Sequence, residues 1–401
     1  MNLKSGYPWW MVKNGLPFNY PKLETSAETE VVIVGSGISG ALTAHFLCEA
    51  GVKCLIVDKR TACTGSTCAS TCLLQYETDM PLFRLIEILG IEKAVKSYQL
   101  SLQSIRNLEN IISSLHIDCD FRQRSSLYLA SDKKGLRDIE KEYQVRQQYG
   151  LPVEFMTKDE LQQGFNIKAP GALYNQVSAD TDAYKLSHAL LQHHIIHSGL
   201  KVFERTEVVK IAYEPDGVIL HTADGLTVKA AKMVCAPGYE SSFFLTEKNI
   251  QLNSTYALIT EPVTTQMLWP EQCLIWETAR PYHYLRTTPD NRIIIGGGDE
   301  KFKDPRLRDS LLERKTNRLM KRLNEVFPHI QTKADYYWCG TFAETKDSLP
   351  YIGTHKDVPH TYFALGYGGN GITFSVMAAE LISGMYTGRT NGNETLFGFE
   401  R

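Results

Sequence analysis

Glu30-Val31-Val32-Ile33-Val34-Gly35-Ser36-Gly37-Ile38-Ser39-Gly40 is the stretch on which the reading of the chain turns. Four β-branched residues running into glycine read as a strand buried on both faces of a parallel sheet. Residues 38–50 carry Leu42, Phe46 and Leu47 at helical spacing and close at Gly51, a natural cap position. Residues 53–57 give a second apolar strand ending at Asp58. Strand, glycines, helix, strand and acid stand in register as a β-α-β unit that binds a dinucleotide. Gly35, Gly37 and Gly40 permit a tight turn, and the helix N-terminus at Ile38 and Ser39 offers amides to a pyrophosphate. Asp58 suits ribose hydroxyls and repels a 2′-phosphate, with Lys59 and Arg60 beside it.

The surroundings of this unit are those of a soluble globular protein. The 401 residues hold 43 basic and 45 acidic side chains, a net charge of −2, which removes nucleic acid as a partner. No run approaches the ~18 apolar residues of a membrane span. Residues 1–21 lack the apolar stretch of a secretory signal, and nine cysteines, an odd number, form no disulfide framework, which points to a reducing, cytoplasmic setting. Cys63, Cys68 and Cys72 cluster without a CxxC or a nearby histidine, and read as small residues in a tight loop rather than a metal site. Four histidines fall on a helix expected over 183–197, and without HExxH they read as a helix face. No metal is expected.

A second glycine-rich loop, Gly366-Tyr367-Gly368-Gly369-Asn370-Gly371, again follows a strand and opens a helix, at Ile372 and Thr373. Its amides form another anion cradle. Two cradles at opposite ends of the chain suit one long ligand, and FAD fits this better than NAD; an NAD-dependent dehydrogenase using the first motif alone is the alternative, and a non-catalytic flavin-binding protein a further one.

With these motifs the chain resembles the FAD-dependent amine and amino-acid oxidoreductases that include D-amino-acid oxidase, glycine oxidase and monomeric sarcosine oxidase. The resemblance also runs through Thr260-Glu261-Pro262, Asp347 to Gly353 and Val234-Cys235-Ala236-Pro237-Gly238. Pro8-Trp9-Trp10, Tyr284-Leu285-Arg286 and Trp338-Cys339-Gly340 are closest to the gamma-glutamylputrescine oxidase-like branch. The resemblance implies that Ala236 and Gly238 lie beside FAD, that Val208 lies by the adenine, and that the loop with Ser66, Thr67, Ser70 and Thr71 meets the flavin. That loop keeps Ser66 but lacks the family's glycines. Ile294 stands where sarcosine oxidase has an oxygen-activating lysine, so the acceptor is oxygen or another carrier. The family's covalent cysteine aligns with Gly340, next to Cys339, which favours noncovalent FAD.

For a small amine or amino-acid substrate, Tyr282, Tyr284 and Arg286 alternate onto one strand face, with Gln75 and Tyr76 as weaker candidates. Arg286 has two readings, a bidentate clamp on a substrate carboxylate or part of a packed hairpin face. No catalytic residue is assigned. The expected fold is α/β with an α+β insertion: a Rossmann-like FAD domain of residues 1–82, 172–248 and 337–401, interleaved with a substrate domain of residues 83–171 and 249–336 on a mixed or antiparallel sheet. The expected reaction oxidises a primary or secondary amine or amino acid to an imine by hydride transfer to flavin N5, followed by hydrolysis.

Overall fold

Among the described residues, strand Ala27–Val34 lies in the middle of an eight-stranded sheet, and the two sides of that sheet explain its unbroken apolar run. Val31 and Ile33 face a helical layer, whereas Val32 and Val34 are covered by Val218, Leu220 and Met233, so neither face meets water. The computed structural model describes residues 3–240 and 250–401. Lys201–Phe203, Cys54–Val57, Ala27–Val34, Thr227–Cys235 and Val358–Leu365 lie side by side, each pair parallel. Tyr351–His355 adds an antiparallel edge, and the hairpin of Val208–Glu214 and Gly217–Thr222 extends Thr227–Cys235. Helix Ile38–Glu49 packs between helices Ala183–His197 and Gly371–Thr387, so segments more than 300 residues apart in sequence share one core, with Ser39 Oγ 2.8 Å from Ser375 Oγ.

Among the described residues the second sheet has ten strands. Its order is Lys4–Gly6, Ala334–Thr345, Ile250–Thr260, Ile293–Lys301, His283–Thr287, Leu274–Glu277, Arg122–Leu129, Gly171–Asp180 and Leu73–Leu74, with Glu154–Thr157 also on Gly171–Asp180. It is antiparallel except where Leu274–Glu277 runs parallel to Arg122–Leu129. Alternation decides its two faces. Tyr256, Leu258, Ile293, Ile295 and Cys339 pack under helix Leu312–Val326, while Ala257, Ile259 and Ile294 face the first unit.

This is the expected α/β fold with a mixed-sheet insertion, but several boundaries move. Strands Gly171–Asp180 and Ala334–Thr345 run through the breaks expected at 171/172 and 336/337, because a ladder continues wherever a neighbour offers hydrogen bonds. Lys4–Gly6 and Leu73–Leu74 fall in the first expected cofactor segment yet pair in the ten-stranded sheet. The break at 248/249 lies outside the described residues. No helix among the described residues is long and apolar enough to cross a membrane.

Candidate active site

The glycine turn, the strand ends and the closing helix surround a cleft of 540 Å³. Gly35, Gly37, Ile38 and Ser39 supply one side, and Asp58, Lys59 and Arg60 another. Ser66, Thr67 and Ser70 come from the following loop, Val208 from the hairpin, Ala236 and Gly238 from the end of the neighbouring parallel strand, and Gly371 and Ile372 from the closing helix. Asp58 is locked in place: Oδ2 accepts from Ser36 N at 2.8 Å and Ser36 Oγ at 2.7 Å, and Oδ1 accepts from Arg60 N at 2.9 Å. Thr67 Oγ1 accepts from the helix-terminal amide of Ile38 at 3.0 Å. Lys59 and Arg60 pair with Glu240 at 2.9 and 2.7 Å. Burial alone would raise the Glu240 carboxyl, but hydrogen bonds from Arg60 and Lys59 bring it down to about 2.

A smaller cavity of 160 Å³ adjoins this cleft, and Leu3, Ser66, Ser70, Tyr239, Gly371 and Ile372 line both. Ser66 Oγ, at the junction, is enclosed and has no hydrogen-bond partner among the described residues. Tyr282 and Tyr284 wall the cavity as their alternation requires, with Gln75 and Thr71 also present. Tyr284 lies across the neighbouring strand opposite Gly296, where a Cβ would come 2.4 Å from its hydroxyl, so only glycine leaves room for the ring. Trp276, stacked on Tyr128 at 3.7 Å, closes another side.

Arg286 is not in this cavity. Its guanidinium is fully buried and donates to the carbonyls of Thr71, Cys72 and Thr181 at 3.2, 3.0 and 2.9 Å, so of its two readings the packed one describes it. Two residues further along the strand than Tyr284, it lies beyond the cavity floor, under Trp10. Gly40, Gly366 and Thr373 do not line either space. Gly40 lets helix and turn touch, Gly366 ends its strand against Thr345, and the Thr373 hydroxyl donates to Gln75 O at 3.4 Å. Gly368, Gly369 and Asn370 line the smaller cavity rather than the cleft. The expected second cradle is partly filled by the protein's own anion, since Gly369 N donates to Asp79 Oδ2 at 2.8 Å and Gly368 N to Ala343 O. Tyr76 points into the core, its hydroxyl donating to Pro152 O at 2.6 Å. Cys63, Cys68 and Cys72 each direct their sulfur at a backbone carbonyl.

Residues 30–385 match the family model described as DAO, FAD dependent oxidoreductase. The chain belongs to this family. It is 24% identical to the gamma-glutamylputrescine oxidoreductase of Escherichia coli, over 92% of this chain and 86% of that one, and 26% identical to the glycine oxidase of Geobacillus kaustophilus, over 88% and 92%. In structure it resembles L-proline dehydrogenase from P. horikoshii, with a TM-score of 0.78 at 19% identity, over 93% of this chain and 97% of that one.

As a DAO family enzyme the chain uses FAD, and its residues fit that group. The glycine turn leaves space beside the fixed Asp58 carboxylate, which would accept from ribose hydroxyls, and the unpartnered Ser66 hydroxyl lines both the cleft and the smaller cavity. Asp58→Ala is expected to weaken FAD about tenfold or more, because the ribose acceptor and the anchor of Ser36 are lost together. Fluorescence titration of the apoprotein with FAD measures this.

Three acidic residues of the cavity escape the sequence reading: Glu77, Asp79 and Asp299. Asp299 Oδ1 is enclosed without a partner, and the carboxyl is pushed up to about 7 by burial, with Glu344 and Asp79 adding to the effect. Glu77 Oε1 accepts from Arg146 at 2.9 Å and Asn175 at 2.7 Å, while Oε2 is unpartnered. Asp79 Oδ1 accepts from the Tyr282 hydroxyl at 3.4 Å. Two of them follow directly after Gln75 and Tyr76, and Asp299 follows Gly296-Gly297-Gly298, but no local pattern links the two stretches.

Proposed function

We propose that this DAO family enzyme oxidises the carbon next to an amine nitrogen to the imine, which water then hydrolyses. The observation that carries the reading is an aromatic-walled cavity opening onto the dinucleotide cleft at Ser66 and Gly371. FAD, when bound, supplies the two-electron acceptor. The chain's own part is to position and desolvate: Trp276, Tyr282 and Tyr284 exclude water and hold the substrate carbon chain, so that the amine reacts unprotonated from a fixed pose. Burial pushes the Tyr284 hydroxyl up to about 12 and lifts the Tyr282 hydroxyl well above its ordinary value, so both stay neutral donors near neutral pH.

Noncovalent attachment is part of the proposal. Gly340 lines the cavity, as do Thr341 and Phe342 of the same strand, whereas the Cys339 thiol turns away toward Asp309 and Ser5 O. A carrier other than oxygen is proposed as acceptor, because Ile294 is packed in the core and no lysine is among the described residues lining the smaller cavity. The cofactor unit is proposed to be the eight-stranded sheet with its helices, and the substrate unit the ten-stranded sheet.

An anaerobic screen of primary amines, secondary amines and amino acids against the yellow holoenzyme tests the reaction. At least one class is expected to bleach the flavin; a yellow protein that none of them bleaches overturns the reading. On readmission of air the colour is expected to return over minutes. Return within seconds makes oxygen the acceptor.

A further inference from the structure

Resting on the amine-oxidation reading, we propose that the smaller cavity selects a substrate carrying a second, distal cationic nitrogen, a diamine or polyamine chain, anchored by Asp299 and Glu77, and that it does not clamp an α-carboxylate. The charge balance of the lining carries this. Glu77, Asp79 and Asp299 line the cavity, and among the described residues no lysine, arginine or histidine does. Two carboxylate oxygens, Asp299 Oδ1 and Glu77 Oε2, are shut off from solvent without a hydrogen-bond partner. Glu77 is 3% exposed. Buried carboxylates left unsatisfied are costly unless a cation or a donor meets them, and here the protein brings too few.

The nearby cations are committed elsewhere. Arg146 bonds Glu142 at 2.6 Å and Glu77 Oε1 at 2.9 Å, and Glu77 Oε2 has no partner. Arg286 is held by carbonyls. Lys315, the cation closest to bearing on Asp299, binds Glu300 at 2.8 Å and the Gly298 carbonyl. Arg280 donates to Asp79 O at 3.1 Å and stacks on Tyr282, and it does not line the cavity. Asp79 has a partner on each carboxylate oxygen, Gly369 N on one and the Tyr282 hydroxyl on the other, whereas Asp299 and Glu77 each keep one oxygen without a partner and are the anchors. A substrate carboxylate entering this field meets like charge. An ammonium meets three carboxylates, two of which keep an oxygen without a partner, and the faces of Trp276, Tyr282 and Tyr284 suit both a cation and the methylenes behind it.

Proton linkage follows from the same groups. Glu344 and Asp79 repel a charge on Asp299, while Thr255 and Lys315 favour it, and with burial the carboxyl comes to about 7. An arriving ammonium favours the ionised form, so binding releases a proton near neutral pH and tightens as pH rises from 6 to 8.

Calorimetry on the holoenzyme with 1,4-diaminobutane, n-butylamine, glycine and sarcosine tests the proposal. The diamine is expected to bind about tenfold or more tightly than the other three. Asp299→Asn, which keeps the shape, is expected to lose about tenfold of that affinity and to flatten its rise with pH, with the flavin spectrum unchanged. Glu77→Gln, whose Oε1 still accepts from Arg146, is expected to lose affinity in the same direction. Equal or tighter binding of glycine or sarcosine overturns the proposal, as does unaltered diamine binding in Asp299→Asn. The parallel bleaching measurement separates the two readings. Diamine binding without bleaching by any amine upholds the site and removes the oxidation. Bleaching by amino acids, with no diamine binding, upholds the oxidation and removes the site.

Discussion

Gly40→Ala is expected to yield a protein that purifies without its flavin. Gly40 lies in the first turn of helix Ile38–Glu49, and a Cβ there would come 1.9 Å from the carbonyl oxygen of Gly35 and 3.0 Å from its carbon. Both are backbone atoms of the turn that the cofactor must approach, so neither can swing aside. The helix has to back away from the turn, carrying Ser39 and its contact with Ser375 out of place. Overpacking of this kind costs about 3 kcal/mol, and the loss falls on the helix start at Gly37, Ile38 and Ser39, which lines the cleft. Flavin absorbance per protein and thermal unfolding read the two effects. Gly37→Ala is expected to be milder, because its Cβ would meet the Thr67 hydroxyl at 2.8 Å, a side-chain atom that can rotate. Gly164→Ala, with nothing within 4 Å, is expected to leave both readings unchanged. Full flavin content in Gly40→Ala would contradict this account.

Arg286→Met is expected to destabilise the fold rather than to alter substrate affinity. One guanidinium nitrogen, Nη1, donates to three carbonyls, those of Thr71, Cys72 and Thr181, and Nε donates to Thr287 O at 3.1 Å. Asp180 Oδ1 lies 3.5 Å away and the ring of Trp10 5.4 Å away. These partners come from the loop after the dinucleotide motif, the approach to helix Ala183–His197, the ten-stranded sheet and the N-terminal helix Trp9–Asn14. The arginine therefore adds a buried tie where the pairing of Leu73–Leu74 with Gly171–Asp180 and the bond from Trp10 Nε1 to Ser70 O already bring these segments together. Methionine fills much of the volume but leaves buried carbonyls without donors, a loss of about 3 kcal/mol or more. Arg286→Lys is expected to recover part of it, since a compact ammonium cannot reproduce the planar fork. Unfolding midpoints measure the loss, and the KM for any amine that bleaches the flavin is expected to stay within about twofold. A raised KM for carboxylate-bearing substrates in a protein of normal stability would restore the clamp.

The β-α-β unit was legible residue by residue. Its strands, its glycine turn and Asp58 lie within about thirty consecutive residues, and each is specified by its neighbours in sequence. The tyrosine pair was legible for a related reason: alternation along one strand places Tyr282 and Tyr284 on one face whatever that face meets. The same rule placed Arg286 on that face and could say nothing of what covers it. Gly366 to Gly371 was read as a cradle from its own residues, and the anion that partly fills it, Asp79, lies far away along the chain.

The sequence by itself determined the parallel core and the turn at Gly35, because a buried strand and a glycine-lined helix start are local patterns of volume and backbone freedom. Only the tertiary structure decided the charge of the smaller cavity. It turned Arg286 into a brace and brought Glu77, Asp79 and Asp299 to one space. The physical reason is that charge compensation is settled by distance in three dimensions. A carboxylate is paired or open according to what packs within a few ångströms of it, and for these three the deciding neighbours are supplied by strands and loops remote in the chain.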